Sequence, residues 1–407
     1  MLQLRPILST LRRHRTAALL IVFEIALTCA IVCNAVFIIA NRIERLRFED
    51  GLADSELVVL GTHSIGDNPN VAADTREDLA ALRAIPGVRA AVVLSNIPFG
   101  EDMNMTGVNL KPDQEAATFH TSMLFGPAGL PDALGLRLVA GRDFRPDEIL
   151  DHAKIQQSNY RFPGCLVTKA MADRLFPGVD AVGQVIYVFG NEPLRILGVV
   201  ERMSSTRPEG GDPADLYSLI LPGSETFDGG EYVLRTDPDQ RQRVLKAAVA
   251  ALEKVDPHRV PQGHRTFEDM RGAFYASDRA MVWLLSGVCV ALLVVTAFGI
   301  VGLASFWVQQ RTRMIGTRRA LGATRGEILR YFQTENLLLT TGGIALGMLL
   351  AYAINQWLTT QYELPRLPSA YLPLGALALW ALGQLAVLAP ARRAAALPPA
   401  HAMRGLA

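Results

Sequence analysis

The side chains whose type and spacing could do chemistry are few, and most lie between Arg311 and Glu335. Thr324 and Glu327 stand three apart ahead of an apolar run. That is the spacing of a capping box, in which hydroxyl and carboxylate each accept a bond from the other residue's backbone N–H. Around them the stretch RTRMIGTRRALGATRGEILRYF, Arg311–Phe332, carries six arginines against one glutamate. Such a surface would suit a nucleic acid, a lipid headgroup or another protein. Glu24 and Asn34 stand inside an apolar run. A carboxylate there is costly and by default a functional candidate. Glu24 lies only eight residues past a basic flank, which favours a structural role, protonated or hydrogen-bonded to a neighbouring helix near the headgroups. Asn34 suits a bond between helices.

Other chemistry is missing from the sequence. There is no Gly-x-x-x-x-Gly-Lys-Ser/Thr phosphate loop, and none of the five lysines follows a glycine. Nucleotide hydrolysis by that route is therefore not expected of this chain. His258 and His264 are six apart around Pro261, a poor spacing for sharing a metal on one helix, and read as surface loop residues. No Gly-x-Ser-x-Gly elbow occurs. No catalytic residue and no metal ligand is assigned.

The elements that must position the basic stretch are set by hydropathy. The 407 residues carry a formal charge of +1 with half of them hydrophobic, so distribution matters more than the mean. Four apolar runs are long enough to cross about 30 Å of hydrocarbon, at 17–41, 281–308, 337–358 and 371–390. The first has a basic lead, but its core outruns a signal peptide and no cleavage site follows, so it reads as a retained anchor. Residues 1–16 hold four arginines and no acid, the 309–336 elbow is arginine-rich, and Arg392, Arg393 and Arg404 mark the 391–407 tail. The 42–280 segment instead holds 26 Lys+Arg against 35 Asp+Glu. Positive flanks stay cytoplasmic, which places both termini and the elbow inside, and 42–280 and the short 359–370 loop outside. Only Cys165 falls in the external region, so no internal disulfide forms there.

The expected fold is an α-helical membrane protein with four transmembrane helices and an α+β external domain inserted between helices one and two. Arg42–Glu49 and Phe267–Ala280 read as helical stalks. A helix over about Asp74–Ala84 with Asp74 as N-cap precedes a strand at Val88–Leu94. A second unit pairs a strand at Tyr232–Arg235 with a helix reaching Lys254. Residues 126–227 read as an inserted subdomain of strands with one helix near Lys169–Phe176.

Nothing breaks the second span before Ala320, so its helix would run on through Arg311, Arg313, Arg318 and Arg319. Gly322 then sits where a left-handed C′ residue ends a helix. Thr324 starts the next helix, whose Ile328, Phe332 and Glu335 share one face. The product is a bent elbow, arginine-rich outside and apolar at its hinge. A nucleic-acid patch does not need an elbow, and a lipid anchor does not need the Gly-Ala hinge. A docking surface for a partner protein explains both, although any cytoplasmic loop would be basic.

RTRMIGTRRALGATRGEILRYFQTEN resembles the cytoplasmic signature of FtsX/MacB-type ABC transporter permeases at Arg311, Ile315, Gly316, Arg318, Arg319, Ala320, Leu321, Gly322, Ala323, Ile328, Phe332 and Glu335. Met314 and Asn336 depart from it, where glutamate and alanine are usual. LRLVAGRDF and the ADRLFPG…VGQVI…LRILGVV series resemble the MacB-type periplasmic core, and PARRAAALPPAHAMR the family's closing motif with Met403 for leucine. The resemblance implies a bacterial inner-membrane subunit whose elbow sits on a separate ATPase that binds ATP and Mg. It implies no cofactor in this chain, a second permease copy or paralogue, an adaptor and outer-membrane duct, and no nucleic acid. It implies export with mechanical transmission, and leaves lipoprotein release and FtsX-like control of a cell-wall hydrolase as alternatives. The hydrolase-controlling subunit is the reading from another class, and a membrane-anchored enzyme is a further one that no motif supports.

Overall fold

The computed structural model describes residues 15–65, 68–100, 103–151, 161–210, 212–362, 368 and 371–396. It divides into two compact units, Met1–Ile43 with Asp278–Ala407, and Glu44–Ser277. The N-terminal arginines at 5, 12 and 13, most of the 359–370 loop, and Met403 and Arg404 lie outside the described residues.

In the second unit the chain leaves helix α1 (Arg15–Leu46) and enters strand β1 (Leu57–His63). Helix α2 (Val71–Arg83) follows, and Gly87, at φ +93°, turns the chain into β2 (Val88–Leu94). Then come β3 (Met105–Val108), β4 (Phe119–Gly126), α3 (Leu130–Leu134), β5 (Leu138–Gly141) and β6 (Leu150–Asp151). Next are β7 (Cys165–Thr168), α4 (Lys169–Leu175), β8 (Val185–Tyr187), β9 (Pro193–Val200) and β10 (Ser218–Ser224). β11 (Glu231–Thr236), α5 (Arg241–Val255), β12 (Val260–Thr266) and α6 (Phe267–Phe274) complete the unit.

The first sheet is antiparallel in the order β12-β1-β11-β2. β1 is apolar at every position from Leu57 to Leu60 because both its faces are covered. Val58 and Leu60 pack with Leu82 of α2 and Val244, Ala248 and Leu252 of α5. Leu57 and Val59 point the other way, into a core shared with Leu124, Leu166 and Ile220 of the second sheet. That sheet is mixed, in the order β3-β4-β10-β7-β9-β5, with β4 and β10 parallel and β7 and β9 parallel. Its outer face closes on Met171, Ala172 and Leu175 of α4.

Three expectations are corrected. The second sheet begins at Met105, well before residue 126. α2 starts at Val71 after Asn70, and Asp74 sits inside its first turn, where it accepts from Asn68 Nδ2 at 2.9 Å. The third concerns the second membrane helix, α7 (Ala276–Gln310), which stops at Gln310 instead of running to Ala320. Arg311 leaves helical geometry at φ −105° and ψ 13°, and α8 (Thr312–Ala320) starts after it. At this break the Thr312 hydroxyl donates to Val308 O at 3.1 Å and Gln309 O at 2.9 Å, and the Arg311 guanidinium pairs with Glu335 Oε2 at 2.7 Å.

The first unit adds α9 (Arg325–Tyr362) and α10 (Tyr371–Ala396). α1, α7, α9 and α10 are each long and apolar enough to cross a membrane. Pro373 falls in the first turn of α10, where its missing N–H costs no helical bond. α1 and α9 approach at glycines: a Cβ on Gly343 would lie 2.8 Å from Ile25 Cβ, and one on Gly347 2.7 Å from Ala26 O. Gly342 faces open space.

Candidate functional site: the arginine-rich elbow

The elbow is made by two opposed helix ends. α8 closes through Gly322 at φ +96°, with Gly322 N–H donating to Arg319 O at 3.1 Å and Ala323 N–H to Arg318 O at 3.0 Å. This pair of bonds is a Schellman motif, and it needs a residue free to adopt the left-handed conformation. One residue later α9 opens on the capping box. Thr324 N–H donates to Glu327 Oε2 at 2.9 Å, and Glu327 N–H to Thr324 Oγ1 at 3.3 Å.

The signature residues divide between two sides of this turn. Ile315, Ile328 and Phe332 are buried in one cluster with Ala391, Ala394 and Ala395 of α10, and Gly316 is buried beside them. Arg319 Nη1 donates to Ala395 O at 2.8 Å, and the Arg318 guanidinium lies 5.0 Å over the Tyr331 ring. Arg311 Nη1 pairs with Glu335 Oε2 at 2.7 Å, a nearly fully buried ion pair, and Arg311 also lies 5.3 Å over the Trp307 ring. Outward face Leu321, Gly322, Thr324 and Glu327, with Ala323 half-buried among them. Leu321 is 83% exposed. An inner half thus braces the turn against the bundle, and an outer half presents an exposed leucine three residues before the capping box. The bracing by α10 was missed in the sequence, where its signal is the small-residue run PARRAAA.

The two intramembrane polar residues lie elsewhere. Asn34 Nδ2 donates to Ala30 O at 3.0 Å and to Ala351 O of α9 at 3.2 Å. Half-buried Glu24 faces Gly299 of α7, where a Cβ would stand 2.6 Å from its Oε2. Thr28 and Thr296 share a hydrogen bond of 2.8 Å on the same seam.

In the external unit His258 and His264 are exposed, and His264 lies on strand β12 instead of a loop. Among the described residues no three His, Cys, Asp or Glu gather where they would hold a metal. Two buried charge clusters escaped the sequence reading. Asp78 accepts from Tyr232 and Arg259, and the Arg259 guanidinium sits 4.2 Å over Phe227. Near the end of α1, Arg271 Nη1 lies 2.6 Å from Asp54 and 3.7 Å from buried Asp50. Burial, then the neighbouring Asp54 charge, pushes the Asp50 carboxyl up to about 7.

A chain with four apolar helices and one large α+β domain between the first two falls in the class of membrane proteins with an extracytoplasmic domain. Residues 24–258 match the family described as MacB-like periplasmic core domain, and residues 286–399 match the FtsX-like permease C-terminal family. The chain belongs to the MacB-like, FtsX-type family of ABC transporter permeases. The macrolide export ATP-binding/permease protein MacB of Chromobacterium violaceum is 30% identical over 288 residues, 66% of this chain and 41% of that protein. The uncharacterized ABC transporter permease YknZ of Bacillus subtilis strain 168 is 23% identical over 348 residues, 84% of this chain and 82% of that protein. The crystal structure of the YknZ extracellular domain is 16% identical and covers 51% of this chain and all of its own, at a TM-score of 0.33. This chain therefore spans less than half of the MacB relative and most of YknZ.

Proposed function

We propose that this chain is the force-receiving permease subunit of an ABC exporter, and that the outer half of the elbow is where a separate ATPase subunit docks. The observation that carries this reading is Leu321, an apolar side chain 83% exposed on a turn whose inner half is locked by packing and an ion pair. A single leucine on a surface is ordinary. Held on a rigid corner between two helix caps, it is preorganised, so docking a partner on it would lose little binding energy to ordering the turn. ATP and Mg would be bound by that partner.

The elbow lies on the side that positive flanks favour, the cytoplasm, with both termini, and residues 42–280 form the periplasmic domain. α1 and the α6–α7 junction are the two places where the chain passes between the units. Movement at the elbow would reach the periplasmic domain along these helices, and that domain would expel the substrate toward an adaptor and outer-membrane duct. A second copy or a paralogous permease would complete the transporter.

The test is Leu321→Asp in the full chain, with the ATPase that co-purifies from native membranes. Association should weaken at least about tenfold, near 1.4 kcal/mol, with the chain still folded. Unchanged association would show that the tip is not the contact.

A further inference from the structure

The four membrane helices meet at a cavity of about 20 Å³ beside the Arg311–Glu335 pair. Its lining comes from Ile21 of α1, Ile300 and Trp307 of α7, Glu335 and Asn336 of α9, and Val387 of α10. Three of these residues bring a buried polar atom that no group among the described residues bonds: Trp307 Nε1, Glu335 Oε1 and Asn336 Nδ2. All three side chains are more than nine-tenths buried, Glu335 at 1% exposure. Three orphans around one cavity do not arise from loose packing. Each keeps its desolvation cost unless something satisfies it.

The chemistry of the lining selects the occupant. Trp307 Nε1–H and the Asn336 amide are donors, so the occupant must accept. The Glu335 carboxylate oxygen is an acceptor, so the occupant must also donate. A cation would face two donors, and an anion would face a carboxylate. A water molecule does both, needs two to four polar partners, and fits a cavity of this size.

We infer that this cavity is a hydration site, in which one bound water bridges Trp307, Glu335 and Asn336 where all four helices converge. The water completes the coordination of the Glu335 oxygen that Arg311 leaves unbonded. It thereby acts as a positioning group for the ion pair at the α7–α8 break. The inference does not depend on which partner docks at the elbow.

Radiolytic hydroxyl footprinting of the full chain, with rapid mixing into water labelled with oxygen-18, reads bound water directly. Trp307 and Phe332 are both buried. They should nevertheless be oxidised, and should take up the heavy label more slowly than exposed Leu321 in the same sample. Asn336→Leu fills the cavity and removes a donor, and should lower modification at Trp307 and Phe332 at least threefold while Leu321 is unchanged. If that variant does not fold, Val387→Leu, which fills the cavity from α10 and alters no polar group, should lower modification at Phe332 alike. Trp307 and Phe332 as inert in the unmodified chain as buried Ile344 would mean a dry cavity. Modification that survives the folded variants would mean that the water lies elsewhere. Either result overturns the inference.

Discussion

Asp50 shows how a single buried carboxylate ties this protein's stability to pH. It is 2% exposed, its Oδ1 accepts from Leu52 N–H at 2.8 Å, and its Oδ2 lies 3.7 Å from Arg271 Nη1. Asp54, Arg271 and Tyr275 are the titratable groups beside it, and burial together with Asp54 outweighs Arg271. Its folded pKa of about 7 lies above the ordinary carboxylate value, so the protonated form is the one the fold favours. That contribution is fully present below about pH 4, is lost as pH rises toward about 7, and stays lost above it. Asp50→Asn keeps the acceptor and removes the charge. Melting curves of the full chain should coincide for the two proteins near pH 4, and the native chain should fall a few degrees behind the variant by about pH 7. A gap that does not vary with pH would mean that Asp50 titrates normally. Residue identity also decides what a substitution at the elbow reports. Phe332 is 3% exposed, so truncating it would cost about 3–5 kcal/mol of core and say little about docking. Leu321, on the tip, is the informative position.

Elements were legible where periodicity and punctuation agreed. β2 was read at its observed bounds because an apolar β-branched run follows Pro86-Gly87. The Gly322 terminator and the Thr324–Glu327 start were visible because caps are local chemistry that three or four residues specify completely. What stayed hidden depends on distant partners. The break at Arg311 coincides with an ion pair to a glutamate 24 residues on. The early start of the second sheet depends on β3 pairing with β4, which no local pattern announces. The Arg311–Glu335 clasp carries a prediction at this scale. Replacing either partner alone with leucine strands a buried charge and should cost about 3–5 kcal/mol, whereas replacing both should cost less than either single change. Denaturation midpoints of the three variants in one detergent would measure this. A double variant as unstable as the sum of the two singles would mean that the residues act independently.

Across the whole molecule charge divides with the fold. The segment 42–280 carries a net −9, from 26 basic and 35 acidic residues, while the elbow segment 308–333 holds six arginines against Glu327. Excess Lys and Arg near span ends hold short loops in the cytoplasm, whereas a large acidic domain crosses freely. Elbow and domain should therefore face opposite compartments, and the proposed ATPase docking requires it. The chain is well suited to testing this, because Cys29, Cys33, Cys165 and Cys289 are all buried and give little background to a thiol reagent. His258 and Arg325 are exposed positions in the domain and at the start of α9. In intact spheroplasts a membrane-impermeant maleimide should modify His258→Cys, and should reach Arg325→Cys only after the membrane is permeabilised. Equal labelling of the two from outside would put Gly322 and the arginines in the periplasm, beyond reach of any nucleotide. In that event no ATPase could use the elbow, whatever its shape.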